Sequence, residues 1–209
     1  MSNSNLIRWS GLSALIGGGL LIIYDILDFA LFSGVPDSQA MTSGVWFIVQ
    51  VVGLIGLILL ALGLVGLYVR QAEQSRSLGL IAFLTAFAGT MMLFGLQWGE
   101  PFLGPMIAKE APALLSVEPT GVIAAGAIIT IALVAIGYFL FGLASLQAHV
   151  LPRGAAVLLM IGAVLAFILF FADLPFGASV IGLAMVWMGY SQWSYSSGGE
   201  RVLTTKAAT

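Results

Sequence analysis

Six long apolar runs, separated by short polar segments, set the pattern of this chain. They cover roughly residues 9–31, 45–69, 78–98, 121–146, 154–172 and 176–195. A helix that rises about 1.5 Å per residue needs about 20 apolar residues to cross a bilayer core about 30 Å thick. Each run approaches or exceeds that length, and none alternates as the strands of a membrane barrel do. The pattern predicts an all-α, polytopic integral membrane protein with six transmembrane helices.

The composition agrees with lipid as the solvent of this chain. Of the 209 residues, 60 % are hydrophobic and 8 % are charged, whereas soluble domains carry about 25 % charged residues. A net charge of −2 offers no basic surface to nucleic acid. Without cysteine the chain has no disulfide framework and no thiolate metal ligand. The lipid bilayer is therefore the partner that the composition indicates.

The basic residues lie in alternate connections between the runs. Six of the seven fall in the N-terminal segment, the second and fourth connections and the C-terminal segment: Arg8, Arg70, Arg76, Arg153, Arg201 and Lys206. The opposite connections hold only Lys109, together with acidic residues such as Asp37, Glu110 and Glu118. Cytoplasmic loops carry the excess of Lys and Arg. The charges thus predict an even number of spans, with both termini cytoplasmic, in the cell inner (plasma) membrane.

A repeat of helical hairpins would explain a second regularity. The odd-numbered runs begin with an arginine close to a glycine and end in an acid followed by phenylalanine and glycine, as in Arg76 to Gly79 and Glu100 to Gly104. We interpret this as three tandem hairpins inserted in the same orientation. The alternative is that any hairpin obeying the charge rule begins with arginine and ends near an acid.

Small residues at four-residue spacing predict close helix packing. Such residues let two helix backbones approach each other in lipid. They are Ser10, Ala14 and Gly18; Ala82, Ala86 and Thr90; Gly162 and Ala166; and Ala178 and Gly182. Some of these seams must be buried inside the bundle, and a spare one could hold a partner protein or a second copy of the chain.

Two segments lie outside the predicted spans. The outer loop 99–120 contains four prolines and apolar residues on both sides of Lys109 and Glu110, which predicts a short amphipathic helix on the outer leaflet or over the mouth of the bundle. The C-terminal segment 196–209 is polar and rich in small residues, and it predicts a flexible cytoplasmic tail.

Acidic residues near the outer ends of the odd-numbered spans are the best candidates for function. Asp25 and Asp28 are three residues apart and share a helix face, and ionisable groups inside a membrane are costly and often functional. Glu100 and Asp173 are expected at the interface, where the alternative is that they only end helices in water. With the polar side chains of the outer halves they form a predicted vestibule for a ligand or cation: Asp25, Asp28, Gln50, Gln97, Glu100 and Asp173.

No catalytic residue can be assigned from the sequence. His149 is the only histidine, and a metal or haem site normally needs further ligands beside it. Serine nucleophiles need an activating base, and none is apparent. We therefore expect no metal, no cofactor and no enzymatic activity.

Three functions remain in order of preference. The first is a non-catalytic accessory or scaffold subunit that binds a protein partner or lipid. The second is a small channel or transporter with an acidic outer vestibule. The third is an intramembrane enzyme acting on lipid, which would need a convergent polar cluster.

Overall fold

The computed structural model describes residues 3–172, 174 and 176–207, with side chains for 5–172, 174 and 176–194. Its helices are α1 (Asn3–Phe32), α2 (Asp37–Ala40), α3 (Gly44–Phe102), α4 (Gly104–Glu110), α5 (Gly121–Ala148), α6 (Arg153–Phe171) and α7 (Gly177–Ala207), with a 3-10 helix at Pro112–Ser116. No strand occurs in this part of the chain. The all-α prediction is confirmed.

Four of the described helices are long and apolar enough to cross a membrane. By length and composition these are Asn5–Phe32, Gly44–Phe102, Gly121–Ala148 and Arg153–Phe171. Long apolar helices satisfy their own backbone hydrogen bonds, which is the condition for entering lipid. The chain therefore has the helices of a membrane protein.

Helix α3 is bent back on itself at Arg76. This residue has φ 49° and ψ −138°, a backbone conformation that breaks the helical path. The break divides α3 into a first arm (44–75) and a second arm (77–102). The arms lie side by side, since Tyr68 and Phe83 stack with ring centroids 4.6 Å apart and Gln97 donates a hydrogen bond to Gln50. The two apolar runs that the sequence separates at 69 and 78 are thus the two arms of one hairpin.

Capping residues mark where the helices begin and end. Gly34, with φ 81°, follows the end of α1, as glycine commonly does after a helix. Ser43 precedes α3 and accepts a hydrogen bond from the Trp46 backbone N–H at 3.1 Å. His149 ends α5 in the left-handed conformation with φ 57°, and its side chain is exposed. The only histidine of the chain is therefore a cap residue on the surface.

The helical segments form a closed ring. α1 packs against both α7 and the first arm of α3, the second arm packs against α5, and α6 packs against both α5 and α7. The cyclic order follows the chain order, and the last helix returns to the first. This ring leaves a central space that every segment can line.

Small residues bring neighbouring helices of the ring into backbone contact. A Cβ atom built on Gly18 of α1 would lie 2.4 Å from the Gly182 carbonyl oxygen of α7. One built on Gly137 of α5 would lie 2.3 Å from the Ala86 nitrogen of the second arm. The prediction that small-residue seams are buried within the bundle is confirmed at Gly18, Ala86 and Gly182, whereas Gly137 was not among the predicted residues.

The bundle has two chemically different ends. One end, which we call the arginine end, holds Arg8, Arg70, Arg76 and Arg153. Three buried polar residues lie towards it: Gln71 of the first arm, Ser145 of α5 and Gln192 of α7. Asp25, Asp28, Gln50, Gln97 and Glu100 lie towards the other, which we call the acidic end. The charge pattern of the sequence predicted that the arginines and the acidic residues would lie on opposite sides of the bundle.

The segments outside the long helices differ in part from their predicted form. Within the predicted outer loop 99–120, α3 continues to Phe102, and α4 and the 3-10 helix follow. They pack with α2 at the acidic end, where the Met41 side chain approaches Gly104. Helix α7 extends to Ala207 and so includes most of the segment predicted as a tail.

Candidate functional site

A cavity of about 300 Å³ occupies the central space of the ring towards the acidic end. Helix α1, both arms of α3, α5, α6 and α7 all contribute to its wall. Most of the lining side chains are apolar; the described polar ones are Tyr24, Asp25, Asp28, Thr90, Gln97 and Tyr138. Small-molecule sites have this character, a mostly apolar pocket with a few polar groups that orient the ligand.

Asp25 is bound to the first turn of α7. One carboxylate oxygen accepts hydrogen bonds from the Ser179 backbone N–H at 2.8 Å and from the Ser179 hydroxyl at 2.7 Å. The first N–H groups of a helix have no partner within the helix, and the positive end of the helix dipole favours a carboxylate there. Asp25 is 9 % exposed. It therefore joins the first helix to the last, and one of its two oxygens is occupied by these bonds.

Asp28 lies at one end of a chain of side-chain hydrogen bonds. Gln50 donates to an Asp28 oxygen at 3.2 Å, and Gln97 donates to the Gln50 carbonyl oxygen. Gln97 also donates to the Tyr24 hydroxyl oxygen at 3.3 Å. The network joins α1 to both arms of α3, and it orients the amide of Gln50 with its nitrogen towards the acid. It leaves Asp28 with further acceptor positions and Tyr24 with its own hydroxyl proton.

The structure brings five of the six predicted vestibule residues to the acidic end. Asp25, Asp28 and Gln97 line the cavity, and Gln50 is buried behind Asp28 and Gln97. Glu100 is half-buried near the end of the second arm and does not line the cavity. Asp173 lies outside the described residues. Whether the set binds a ligand stays a prediction.

Thr90 and Tyr138 form a second polar position in the cavity that sequence reasoning missed. Their oxygens are 2.9 Å apart, and each residue is 1 % exposed. The Thr90 hydroxyl donates to the Ala86 carbonyl oxygen at 2.8 Å. Its one proton is thus used, so Tyr138 must donate to Thr90, which leaves the Tyr138 oxygen able to accept. A tyrosine in the middle of an apolar run was the available signal, but its partner could not be predicted.

The arginine end of the bundle is filled by side chains. Several large residues there are 0 % exposed: Leu64, Leu67, Phe141, Leu159, Met185 and Met188. Polar side chains also link the helices at this end: Ser145 donates to Gln71 at 2.7 Å, and Gln192 donates to the Ile7 carbonyl oxygen at 2.8 Å and to the Ser10 hydroxyl oxygen at 3.2 Å. The described part of this end shows close packing in place of a hydrophilic path.

No family model, curated protein sequence or solved structure that was compared with the chain matches it. The geometry of the site is therefore the guide to its chemistry. The cavity is mostly apolar, the Asp25 carboxylate is bound to the start of α7, and the Asp28 carboxylate can accept further hydrogen bonds.

Proposed function

We propose that this chain is a non-catalytic integral membrane protein that binds a small amphiphilic molecule in the cavity of its acidic end. The cavity of about 300 Å³ carries the proposal. Its apolar wall would take the hydrophobic body of the ligand, and the groups around Asp28 and Tyr24 would take the polar part. Such a site fits an accessory or scaffold subunit that binds a lipid-like molecule in its cavity. The subunit would act alone or together with a partner protein.

The packing of the arginine end argues against the channel and transporter hypothesis. An open aqueous path needs free space along its whole length, whereas large side chains at this end, such as Leu67, Phe141 and Met188, are completely buried against one another. Ion or solute flux through reconstituted protein above that of empty liposomes would reverse this order of preference.

Binding in the cavity can be tested by filling it. Leu93 lines the cavity, and Leu96, one turn further along the second arm, does not and is 45 % exposed. We expect native mass spectrometry to detect a bound small molecule in the wild type and in Leu96→Trp. The same adduct should be lost in Leu93→Trp, because an indole in place of the leucine side chain occupies the space. Equal retention in both variants would place the molecule elsewhere, and no adduct in the wild type would count against an endogenous ligand.

We further propose that the chain crosses the bilayer six times with both termini cytoplasmic. The two arms of α3 would cross separately, and α7 would add the sixth crossing. The distribution of arginine and acid between the two ends supports this orientation. In this arrangement Arg76 lies at a cytoplasmic hairpin tip, and α2 and α4 lie outside.

The absence of native cysteine makes the topology directly measurable. Gln39, Ser77 and Ser116 are exposed residues in α2, at the α3 bend and in the 3-10 helix. In intact cells we expect a membrane-impermeant maleimide to label Gln39→Cys and Ser116→Cys. Ser77→Cys should react only after permeabilisation. Labelling of all three from the same side would mean that the arms of α3 do not cross separately.

A further inference from the structure

We infer that the ligand of this cavity is a cation, namely a small ammonium ion attached to an apolar body. The inference rests on the proposed binding function and names the chemical class of the ligand. It comes from the sign of the charges around the cavity, from the acceptors that remain unused, and from the size of the space.

Every charged side chain in the described cavity wall is acidic. The wall contains Asp25 and Asp28 and neither lysine nor arginine. Most basic residues belong to the arginine end, and Lys109 is exposed on α4. Carboxylates that leave water are costly unless a positive charge or sufficient hydrogen bonds compensate them. A cationic ligand would supply the missing positive charge.

The two aspartates have different roles in this scheme. Asp25 is held by Ser179 at the start of α7, so its negative charge is compensated by a helix end. Asp28 receives one hydrogen bond from Gln50, at 3.2 Å. A carboxylate can accept about four hydrogen bonds, and so Asp28 keeps capacity for a ligand. Asp28 is therefore the group that would recognise the cation, and Asp25 would hold the wall in place.

The remaining groups in the cavity suit the same ligand. The Tyr138 oxygen is an acceptor, because its proton is donated to Thr90. Tyr24, Phe170 and Phe176 add aromatic rings to the wall, and cations bind favourably to aromatic faces. A volume of about 300 Å³ is at the lower limit for small-molecule sites. It fits a small organic ammonium ion and excludes a whole phospholipid.

The test compares two probes of nearly the same shape, phenyltrimethylammonium and its uncharged isostere tert-butylbenzene. The full chain is placed in phosphatidylcholine nanodiscs, and empty nanodiscs correct for partition into lipid. We expect the wild type to bind the cation at least about tenfold more tightly than the hydrocarbon, which corresponds to about 1.4 kcal/mol. Asp28→Asn should remove this preference without weakening hydrocarbon binding, and Asp28→Glu should keep it.

Two control variants separate the possible outcomes. Asp37→Asn removes an exposed charge at the acidic end and should leave the preference unchanged, whereas Leu93→Trp should abolish binding of both probes. Equal affinity of the wild type for both probes, with both lost in Leu93→Trp, would overturn the cation inference and leave the proposed binding function standing. A preference that survives Asp28→Asn would overturn the role of Asp28. If the wild type bound neither probe, the cavity would be excluded as a binding site both for the ammonium ion and for the hydrocarbon.

Discussion

Replacing Asp25 with alanine should lower the free energy of unfolding by about 2–4 kcal/mol, the largest effect that we expect of any single polar substitution. The change removes both hydrogen bonds to Ser179. It leaves a backbone N–H and a hydroxyl at a buried helix end without their acceptor, and the helix dipole without its countercharge. The measurement is SDS-induced unfolding in mixed micelles, followed by circular dichroism.

Three further variants test the origin of that loss. Ser179→Ala keeps the backbone N–H bond to Asp25 and should cost about 1 kcal/mol. Asp25→Asn keeps one carbonyl acceptor and should lie between the two. Asp37→Ala removes an exposed carboxylate and should change stability by less than about 0.5 kcal/mol. An Asp25→Ala protein as stable as Asp37→Ala would show that the contact between α1 and α7 does not need the acid.

Gly137→Ala should destabilise the bundle by about 2–3 kcal/mol, although alanine is the better helix former. The added Cβ atom would meet the backbone of the second arm, 2.3 Å from the Ala86 nitrogen and 2.4 Å from its Cα. Neither backbone can yield without moving a whole helix, so the seam between α5 and α3 must open.

Gly126 provides the matched control on the same helix. A Cβ atom there would meet nothing within 4 Å, and alanine should therefore leave stability unchanged or raise it by up to about 1 kcal/mol. The same SDS titration measures both variants. Equal stability of Gly137→Ala and Gly126→Ala would mean that the seam can widen without loss of packing.

The helices of this protein could be predicted from the sequence because each carries its own signal. A run such as 121–146 is apolar throughout, and its helix, Gly121–Ala148, satisfies its backbone internally. Asp25 and Asp28 could be singled out for the same reason, since a carboxylate in an apolar run stands out. A connection between the runs that end at 69 and begin at 78 was expected, but its form, a break in the helix at Arg76, was not.

The partners of the candidate residues could not be predicted, since they depend on which helices are neighbours. Ser179 is separated from Asp25 by 154 positions, and nothing local in Ala178-Ser179-Val180 distinguishes this serine from others in the chain. The spacing of Asp25 and Asp28 placed them on one helix face but did not predict their partners. Both line the cavity, but packing gives them different partners: Asp25 is bound to Ser179 of α7, whereas Asp28 is bonded to Gln50 of α3.

The closure of the ring between the first and last helices has a consequence for biosynthesis. Asp25 leaves the ribosome before Ser179, which lies 154 positions later in the chain, has been made. Until then the acid must stay close to the membrane surface, be shielded by the insertion machinery, or carry a proton. The contact between α1 and α7 can therefore form only after α7 has been made, so a truncation before α7 should leave Asp25 without its Ser179 partner and make α1 less stable.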